Sequence, residues 1–522
     1  MEVSTVRRIV VIGLDGATWD VINPMIKRGL LPNFQKLIKE GVRANLKSLK
    51  LSFSPRVWTS IASGKTEEKH GIFNFSNNLG DLKAKRIWDI LTEKGKKVNI
   101  FYWYLTWPPR EDINGFMVPG VMARDNQTVP EDLSFLKDIE LFEKIKEQGP
   151  GKNSGIVFYF KSGYRALKYG IKISTLLKAM SYMVGRRLKK YNELDSFNRL
   201  QLLKLFLFKD VFTYLLKNRP TDFAAIMYPQ SDQLGHKFWA FMEPEEFEKR
   251  TGEHIEEDDR KRYGTVIYNC YKELDRAIGE AHETLSEEDV IIVLSDHGFG
   301  LVQRSLASLK IKGKRFLEIL ELANIANCFS VGINFIIKLN KENTTIDLAE
   351  IANEIAEIKT IDNNESLFKV THDEYEIVLE LRTIFSMYLD DARAFLEKKI
   401  KIKDQIIPAN EILINRSDIT GEHRDTGILV MKGKNIKRNT KIEHASVLDI
   451  VPTILYLKNL PVAHDMDGKV LQDAIENQYL SKHPIQFIET YESESDAYYD
   501  KETDFSMTEE LESRLKDLGY LD

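Results

Sequence analysis

The sequence is poor in cysteine, because its 522 residues include only Cys270 and Cys328. Two such residues cannot form a disulfide framework, and they lack the spacing of a cysteine-based metal site. The sequence also has no run of about 18 consecutive apolar residues, so a transmembrane helix is not expected. Positive charge is not in excess, since 74 Lys and Arg are balanced by 79 Asp and Glu. The net charge of −5 excludes a generally basic nucleic-acid binder, and no specific nucleic-acid binding is expected.

The composition is that of a globular protein with a large core, since 43% of the residues are hydrophobic and 10% are aromatic. At roughly 150 residues per domain, the length suggests two to four structural units. The N-terminal apolar run is short, rich in β-branched residues and followed by Gly-Leu-Asp-Gly. It is typical of a buried strand rather than a signal peptide, so a cytoplasmic location is expected. The sequence does not define an oligomeric state.

Short apolar runs that fit buried strands alternate with helical patterns. The runs cover 8–14, 222–228, 289–294 and 427–431, and the helical patterns include 19–28, 33–40, 85–95 and 266–284. This alternation predicts an α/β fold with a largely parallel central sheet covered by helices on both faces.

The core is predicted to be interrupted twice. Three core parts, 1–149, 219–300 and 413–488, are separated by insertions at 150–218 and 301–412, which we interpret as caps. The first insertion is helical in pattern and basic: residues 161–210 contain 12 Lys and Arg against 3 Asp and Glu. Such a segment can contact an anionic membrane or hold a polyanionic substrate, although a solvated basic face is the commoner outcome. The last stretch, 489–522, is acidic and is predicted to end in a docking helix.

Polar side chains with metal-binding capacity follow or precede four of the predicted strands. They are Asp15, the pair Asp232 and His236, the pair Asp296 and His297, and His423. Ligand sites in open α/β sheets lie beyond the carboxyl ends of the strands. Any one of these residues alone is more simply explained as a helix cap or a surface histidine. Their recurrence at the same topological position indicates a site, and three carboxylates with three imidazoles are enough for two divalent ions.

Ser54 is a candidate nucleophile. Ser54 followed by Pro55 is the pattern of an N-cap residue followed by a proline in the first helical turn. The N-terminus of a helix favours a bound anion such as phosphate. The alternative is a plain N-cap serine, which this segment alone does not exclude. The aromatic stretch 101–107 is a candidate border of the site, although such runs are more often core.

These motifs resemble the alkaline phosphatase superfamily, in its type I phosphodiesterase/nucleotide pyrophosphatase branch. The resemblance covers roughly 1–125, 220–300 and 415–522, and leaves the two insertions unmatched. The matching motifs are Gly-Leu-Asp15-Gly, Ser54-Pro-Arg-Val-Trp-Thr-Ser with His70-Gly-Ile, Asp232-x-x-Gly-His236, Ser-Asp296-His297-Gly, Gly-x-His423-Arg and Asp465-Met-Asp467-Gly.

The resemblance implies a role for each motif. One metal would be held by Asp15, Ser54, Asp296 and His297, and the other by Asp232, His236 and His423. Ser54 would be the nucleophile, and His70 would be structural. The branch usually has Thr at the nucleophile position and an Asn three residues later that contacts a phosphoryl oxygen. Here the second position is Val57, so Arg56 or backbone N–H groups would replace that contact, and Arg424 is a further candidate for substrate binding.

The function implied is a two-metal hydrolase acting on a phosphate-ester substrate, most simply a phosphodiester or nucleotide pyrophosphate, through a covalent Ser54 intermediate. The fold implied is a three-layer α/β/α core. Zinc suits the mixed ligands, and manganese is the alternative. The alternative hypotheses are a phosphomonoesterase, a phosphotransferase and a non-catalytic binding protein. A sulfatase is disfavoured, because Ser54-Pro-Arg lacks the Cys/Ser-x-Pro-x-Arg spacing.

Overall fold

A computed structural model describes residues 6–50, 53–73, 75, 77–137, 165–219, 221–302, 309–331, 334–339, 347–373, 376–382, 395–415 and 419–493. The chain divides into two compact units. Among the described residues, the first unit comprises 6–235, 265–300 and 423–493, and the second comprises 236–264 and 301–422, with the gaps given above. The predicted docking helix of the acidic tail lies outside the described residues.

An eight-stranded sheet forms the centre of the first unit. Its strands are β1 (Ile9–Leu14), β2 (Val42–Lys47), β3 (Val98–Phe101), β4 (Gly115–Val118), β5 (Phe223–Tyr228), β6 (Val290–Leu294), β18 (Thr426–Gly433) and β19 (Thr440–Ser446). Their order across the sheet is β19-β2-β18-β6-β1-β5-β3-β4. Shorter strands are β7 (Gly298–Leu301), β17 (Gly421–Arg424), β20 (Val462–Ala463) and β21 (Phe487–Ile488).

Most neighbouring strands of this sheet run parallel. β1 pairs in parallel with β5 on one side and with β6 on the other, with Gly13 opposite Met227 and Leu294. The pairs β5–β3, β3–β4 and β2–β19 are parallel too, whereas β18 runs antiparallel to both β6 and β2. β1, β5 and β6 are buried along their whole length, as expected for strands covered on both faces. The predicted α/β fold class with a largely parallel sheet is therefore confirmed.

The helices of the first unit lie between these strands in the sequence. They are α1 (Trp19–Lys27), α2 (Pro32–Glu40), α3 (Ser54–Ser63), α4 (Glu67–His70), α5 (Ile87–Glu93), α6 (Ile173–Arg187), α7 (Glu193–Asn218), α11 (Val266–His282), α14 (Ile450–Leu457) and α15 (Asn477–Lys482). A further helix, α8 (Gln230–Met242), begins in the first unit and ends in the second. No helix in the described ranges is long and apolar enough to cross a membrane.

Side-chain caps fix how some of these helices pack. The N-terminus of α2 has no capping side chain of its own, since its N-cap residue is Leu31. The Asp275 carboxylate of α11 takes that role by accepting the backbone N–H groups of Asn33 and Phe34 at 3.2 and 2.8 Å. A carboxylate at this position also interacts favourably with the helix dipole, so one residue joins two helices and satisfies buried donors.

The second unit has its own core. Its strands are β8 (Leu309–Ile311), β9 (Ala326–Val331), β10 (Asn334–Leu339), β11 (Lys359–Thr360), β12 (Phe368–His372), β13 (Glu376–Leu381), β14 (Lys399–Ile402), β15 (Gln405–Pro408) and β16 (Leu413–Asn415). Its helices are α9 (Pro244–Thr251), α10 (Glu257–Tyr263), α12 (Gly313–Ile319) and α13 (Leu348–Ala356).

An antiparallel four-stranded sheet, β12-β13-β10-β9, carries the core of this second unit. Phe316, Phe335, Ile337 and Leu379 are buried in that core with no exposed surface. The unit takes in the predicted second insertion at 301–412 and also 236–264, whereas the described part of the first insertion belongs to the first unit. The six-segment division remains a prediction from the sequence.

Candidate active site

The turn after β1 places Asp15 at the carboxyl end of the central strand. Gly13 and Gly16, on either side of it, are glycines because of the space and the backbone conformation at these positions. A Cβ on Gly13 would lie 2.5 Å from the Trp58 ring, so only glycine lets that ring pack against β1. Gly16 has a φ of 66°, and its N–H donates to Asp296 Oδ1 at 3.2 Å. The Gly-Leu-Asp-Gly motif thus combines close packing, a left-handed turn and a bond to a second carboxylate.

Serine hydroxyls hold the three neighbouring strand ends together. β1 lies between β5 and β6, so residues after these three strands meet at one edge of the sheet. Ser231 Oγ, after β5, donates to the Asp15 carbonyl at 2.6 Å. Ser295 Oγ, after β6, donates to the Ala17 carbonyl at 2.8 Å and accepts the N–H of Ile428 from β18. These bonds fix the backbone beside Asp232, Asp296 and His297.

Besides Ser54, six Asp and His residues are predicted metal ligands, and five of these six belong to the first unit and come together there. Ligand atoms of Asp15, Asp296 and His297 lie within 4.8 Å of one another, as do those of Asp232, His297 and His423. His297 Nε2 is 3.4 Å from Asp296 Oδ2 and 3.5 Å from Asp15 Oδ1. His423 Nε2 is 3.0 Å from Asp232 Oδ1. The two donor groups share His297, whereas the resemblance assigned each residue to one metal.

The tautomer of His297 suits a metal ligand. Its Nδ1 lies 2.8 Å from the Gly298 carbonyl, which can only accept, so Nδ1 carries a proton. The Nε2 of the neutral ring then turns a lone pair towards the oxygens of Asp15 and Asp296. Lone pairs at this separation repel unless a proton or a cation lies between them, and an imidazole oriented by a carbonyl is a common metal-binding arrangement.

The carboxylates of the site are buried and close to one another. Burial, followed by the neighbouring charges of Asp296 and Asp232, raises the pKa of Asp15 well above its usual value. Burial is also the main cause that raises the pKa of Asp296 to about 7. Asp296 Oδ2 has no hydrogen-bond partner within the described part of the chain. Three buried carboxylates so close to one another form a donor set that fits divalent cations.

Ser54 lies at the start of α3, but it is not the helix cap that the sequence predicted. Phe53 is the N-cap residue, Ser54 is the first residue of the helix, and no side chain makes a cap hydrogen bond. Ser54 Oγ is buried and has no hydrogen-bond partner among the described residues. Trp58, one turn later on the same helix, packs against Gly13, so the first turns of α3 lie beside the β1 end that carries Asp15.

The sixth predicted ligand, His236, is the first residue of the second unit. It follows Asp232 by four residues on α8, which places both on one face of that helix. His236 Nδ1 lies 2.9 Å from the Gly421 carbonyl and donates to it, as His297 Nδ1 does to the Gly298 carbonyl. Its role as a metal ligand remains a prediction.

The two arginines proposed for substrate binding have protein partners. The Arg56 guanidinium pairs with the Glu67 carboxylate, and both side chains are nearly buried. Arg424 donates to the His423 carbonyl at 3.2 Å, and a Cβ on Gly300 would lie 2.9 Å from its Nε. Their contact with substrate remains a prediction, and for Arg56 the charge is already balanced.

His70 has the structural role expected of it. Its Nδ1 accepts the Ile72 N–H at 3.1 Å, and its Nε2 lies 2.9 Å from Ser60 Oγ on α3. Burial, reinforced by the charge of Arg56, lowers the pKa of His70 to about 3. The ring is therefore neutral at physiological pH and ties the loop after α4 to the helix that carries Ser54.

Sequence reasoning did not single out two aromatic residues at the site. The Tyr104 hydroxyl is 3.5 Å from Asp15 Oδ2, and Phe299 lies against His423 with ring centroids 5.6 Å apart. Tyr104 lies in the aromatic stretch predicted as a candidate border, but its neighbour Trp103 packs in the core against Trp58. Phe299 also explains Gly235, since a Cβ there would lie 2.9 Å from its ring.

Carboxylates and imidazoles thus lie at the ends of three adjacent strands of a mostly parallel sheet. The family model "Type I phosphodiesterase / nucleotide pyrophosphatase" matches residues 9–385. The chain belongs to this family, and it is a hydrolase of the phosphodiesterase/nucleotide pyrophosphatase type.

Two solved structures of one mammalian protein are similar to the chain at low identity. Human ectonucleotide pyrophosphatase/phosphodiesterase 5 is 12% identical, with a TM-score of 0.47 over 90% of this chain and 99% of its own. The mouse protein, an inactive variant in complex with AMP, is 14% identical, with a TM-score of 0.48 over 90% of this chain and 100% of its own. Among curated proteins, none matches the chain significantly.

Proposed function

We propose that the chain hydrolyses phosphodiesters or nucleotide-type pyrophosphates with two divalent metal ions and with Ser54 as the nucleophile. The observation that carries this proposal is the pair of donor groups joined at His297, beside the start of α3. Asp15, Asp296 and His297 would hold one ion, with Ser54. Asp232 and His423 would hold the other, with His236. When bound, the ions would lower the pKa of the Ser54 hydroxyl and neutralise charge on the phosphoryl oxygens.

Ser54 would act by in-line attack on phosphorus. The Oγ–P bond forms as the bond from phosphorus to the leaving oxygen breaks, and the departing alcohol or phosphate takes up a proton. Water then hydrolyses the phosphoseryl ester and restores the serine. Positioning and charge neutralisation supply most of the rate enhancement in such transfers, so few other side chains are required.

The contact that an Asn makes elsewhere in the family has to come from another group. Val57 takes that position and is fully buried. Because the Arg56 guanidinium is paired with Glu67, the backbone N–H groups of the first turn of α3 are the better candidates. Together with the helix dipole they favour a phosphoryl oxygen at this place.

The charge near the site favours a diester over a monoester. A monoester carries two negative charges on the transferred group and needs more cationic partners than a diester does. The arginines nearest in sequence to the site, Arg56 and Arg424, already contact Glu67 and the His423 carbonyl. Tyr104 and Phe299, both buried, pack beside the ligands and add no cationic group there.

The test is a comparison of kcat/KM for bis-aryl and mono-aryl phosphates with the same leaving group, on the metal-loaded protein. We expect the diester to be cleaved faster. A monoester preference above about tenfold, roughly 1.4 kcal/mol, would assign the protein to the phosphomonoesterases instead. Zinc as the resident metal, with manganese as the alternative, and the cytoplasmic location remain predictions from the sequence.

A further inference from the structure

Helix α6 presents a continuous apolar stripe to solvent. Ile173, Leu177, Met180 and Val184 are 69, 59, 57 and 56% exposed. Their spacing of four, three and four residues places them on one face of the helix. Leu188, directly after the helix, continues the stripe and is 58% exposed. Scattered exposed apolar residues are ordinary on protein surfaces, but five aligned ones form a patch that indicates a partner.

The opposite face holds α6 in place, so the stripe belongs to an anchored helix. Thr175, Tyr182 and Gly185 are the buried residues of α6. The Asp210 carboxylate of α7 accepts the Thr175 hydroxyl at 2.6 Å and the Lys172 N–H at 3.0 Å. These contacts fix which side of α6 faces outwards.

The charge within this segment has one sign, and one of its cations, Lys172, pairs with Glu280 of α11 at 2.8 Å. Residues 165–190 contain eight Lys and Arg and no Asp or Glu, although the whole chain has a net charge of −5. All eight basic residues are exposed. Four of them, Arg186, Arg187, Lys189 and Lys190, follow one another closely at the end of α6. Long basic side chains next to apolar ones reach phosphate groups while their aliphatic stems stay on apolar surface.

We propose that this face, residues 165–190, binds the surface of an anionic lipid membrane. α6 would lie in the plane of the headgroups, with the stripe between the lipid tails and the basic residues on the phosphates. A second copy of the chain fits this face poorly, because eight cations would meet eight cations. The proposal does not depend on the proposed function, and it explains why a basic, apolar helix is anchored on an acidic protein.

The test is co-sedimentation of the full-length, metal-loaded chain with vesicles of phosphatidylcholine, alone or mixed with phosphatidylglycerol. We expect binding to the mixed vesicles at least about tenfold tighter than to phosphatidylcholine alone. Binding should weaken as salt rises from about 0.1 to 1 M, since the Debye length falls from about 10 to 3 Å.

Two variants separate the apolar and the charged contributions. Leu177→Ser with Val184→Ser should reduce binding at least about tenfold, and so should Arg187→Gln with Lys190→Gln. The matched controls are Ile406→Ser and Lys249→Gln, at exposed positions of the second unit, and they should bind as the unaltered chain does. The melting temperature should be the same in all four variants, which shows that they are folded.

Three outcomes would overturn the proposal. The first is no binding to anionic vesicles by the full-length chain. The second is binding that the controls reduce as much as the α6 variants do. The third is that vesicle binding is absent, but the chain forms a dimer or a complex with an acidic protein that is lost when Leu177 and Val184 are replaced. That result would assign the face to a protein partner.

Discussion

The imidazole rings of His297 and His423 stack with their centroids 3.7 Å apart and their planes 19° from parallel. The two residues are 126 positions apart in the chain, after β6 and before β18, and the sheet brings them together. Each ring has a nitrogen within 4 Å of an Asp232 oxygen. This contact joins the two donor groups, so the metals are expected to bind as a pair.

The first prediction is metal dependence. We expect two divalent ions per chain, and removal by a chelator should lower kcat for a diester by about 10³-fold or more, because three buried carboxylates then lose their counter-charge. Elemental analysis, with activity measured before chelation and after adding back zinc or manganese, checks this. A fully active protein without divalent metal would rule the site out.

The second prediction concerns Ser54→Ala. Loss of the nucleophilic hydroxyl should lower kcat by about 10³-fold or more, while metal content stays near two ions because the Asp and His ligands remain. Ser63→Ala is the matched control at the other end of α3. Its hydroxyl donates to the Thr59 carbonyl at 2.8 Å within the helix, so its loss should change kcat less than about threefold. Near-normal turnover in Ser54→Ala would show that another group attacks phosphorus.

The sequence predicted the core strands well and picked out five side chains that the fold brings together, because fully apolar runs and strand-end polar residues are local signals; that these side chains bind metal remains a prediction. The two outermost strands on each side of the sheet, β19 and β2 on one side and β3 and β4 on the other, were not predicted, since they are short or alternate in polarity. The antiparallel direction of β18 was not predicted either, because an apolar run does not show whether a strand runs parallel or antiparallel to its neighbours.

Other features depend on contacts between distant segments. Tyr104 reaches Asp15 only through the loop after β3, and Phe299 reaches His423 only when two strand ends meet. The pairing of Arg56 with Glu67 also needed the structure, because a sequence shows a charge but not its partner. His297 belongs to both donor groups because its ring nitrogen lies close to the oxygens of both, and the spacing of motifs along the chain does not give distances in space.

The third prediction compares two glycines with left-handed backbones. Gly16 has a φ of 66° and Gly29 a φ of 70°. A Cβ on Gly29 would meet nothing within 4 Å, whereas one on Gly16 would lie 2.9 Å from Phe299 and 3.2 Å from His297. Gly29→Ala should therefore cost only the backbone term, about 1–2 kcal/mol of unfolding free energy, with unchanged kcat.

Gly16→Ala should lose about 1–3 kcal/mol more, because Phe299 and His297 must shift, and its kcat should fall at least about tenfold. Thermal unfolding and diester turnover of the two variants check this. Equal effects in both would mean that the turn tolerates a side chain and that His297 is not held in place by the contact.

The fourth prediction is a pH dependence of stability caused by His70. Folding lowers its pKa from 6.5 to about 3, so the folded state binds this proton more weakly than the unfolded state does. The resulting stability is fully present above pH 6.5 and is lost as the pH falls towards 3. In His70→Gln, where the amide can still donate to Ser60, this dependence should disappear. Between pH 6.5 and 5 the unaltered chain should lose about 2 kcal/mol more unfolding free energy than the variant.

The control for this prediction is His372→Gln, at an exposed histidine on β12. Its melting temperature should follow that of the unaltered chain at every pH. Parallel melting curves for all three proteins from pH 7 to 5 would show that His70 is protonated as easily in the folded chain as in the unfolded one.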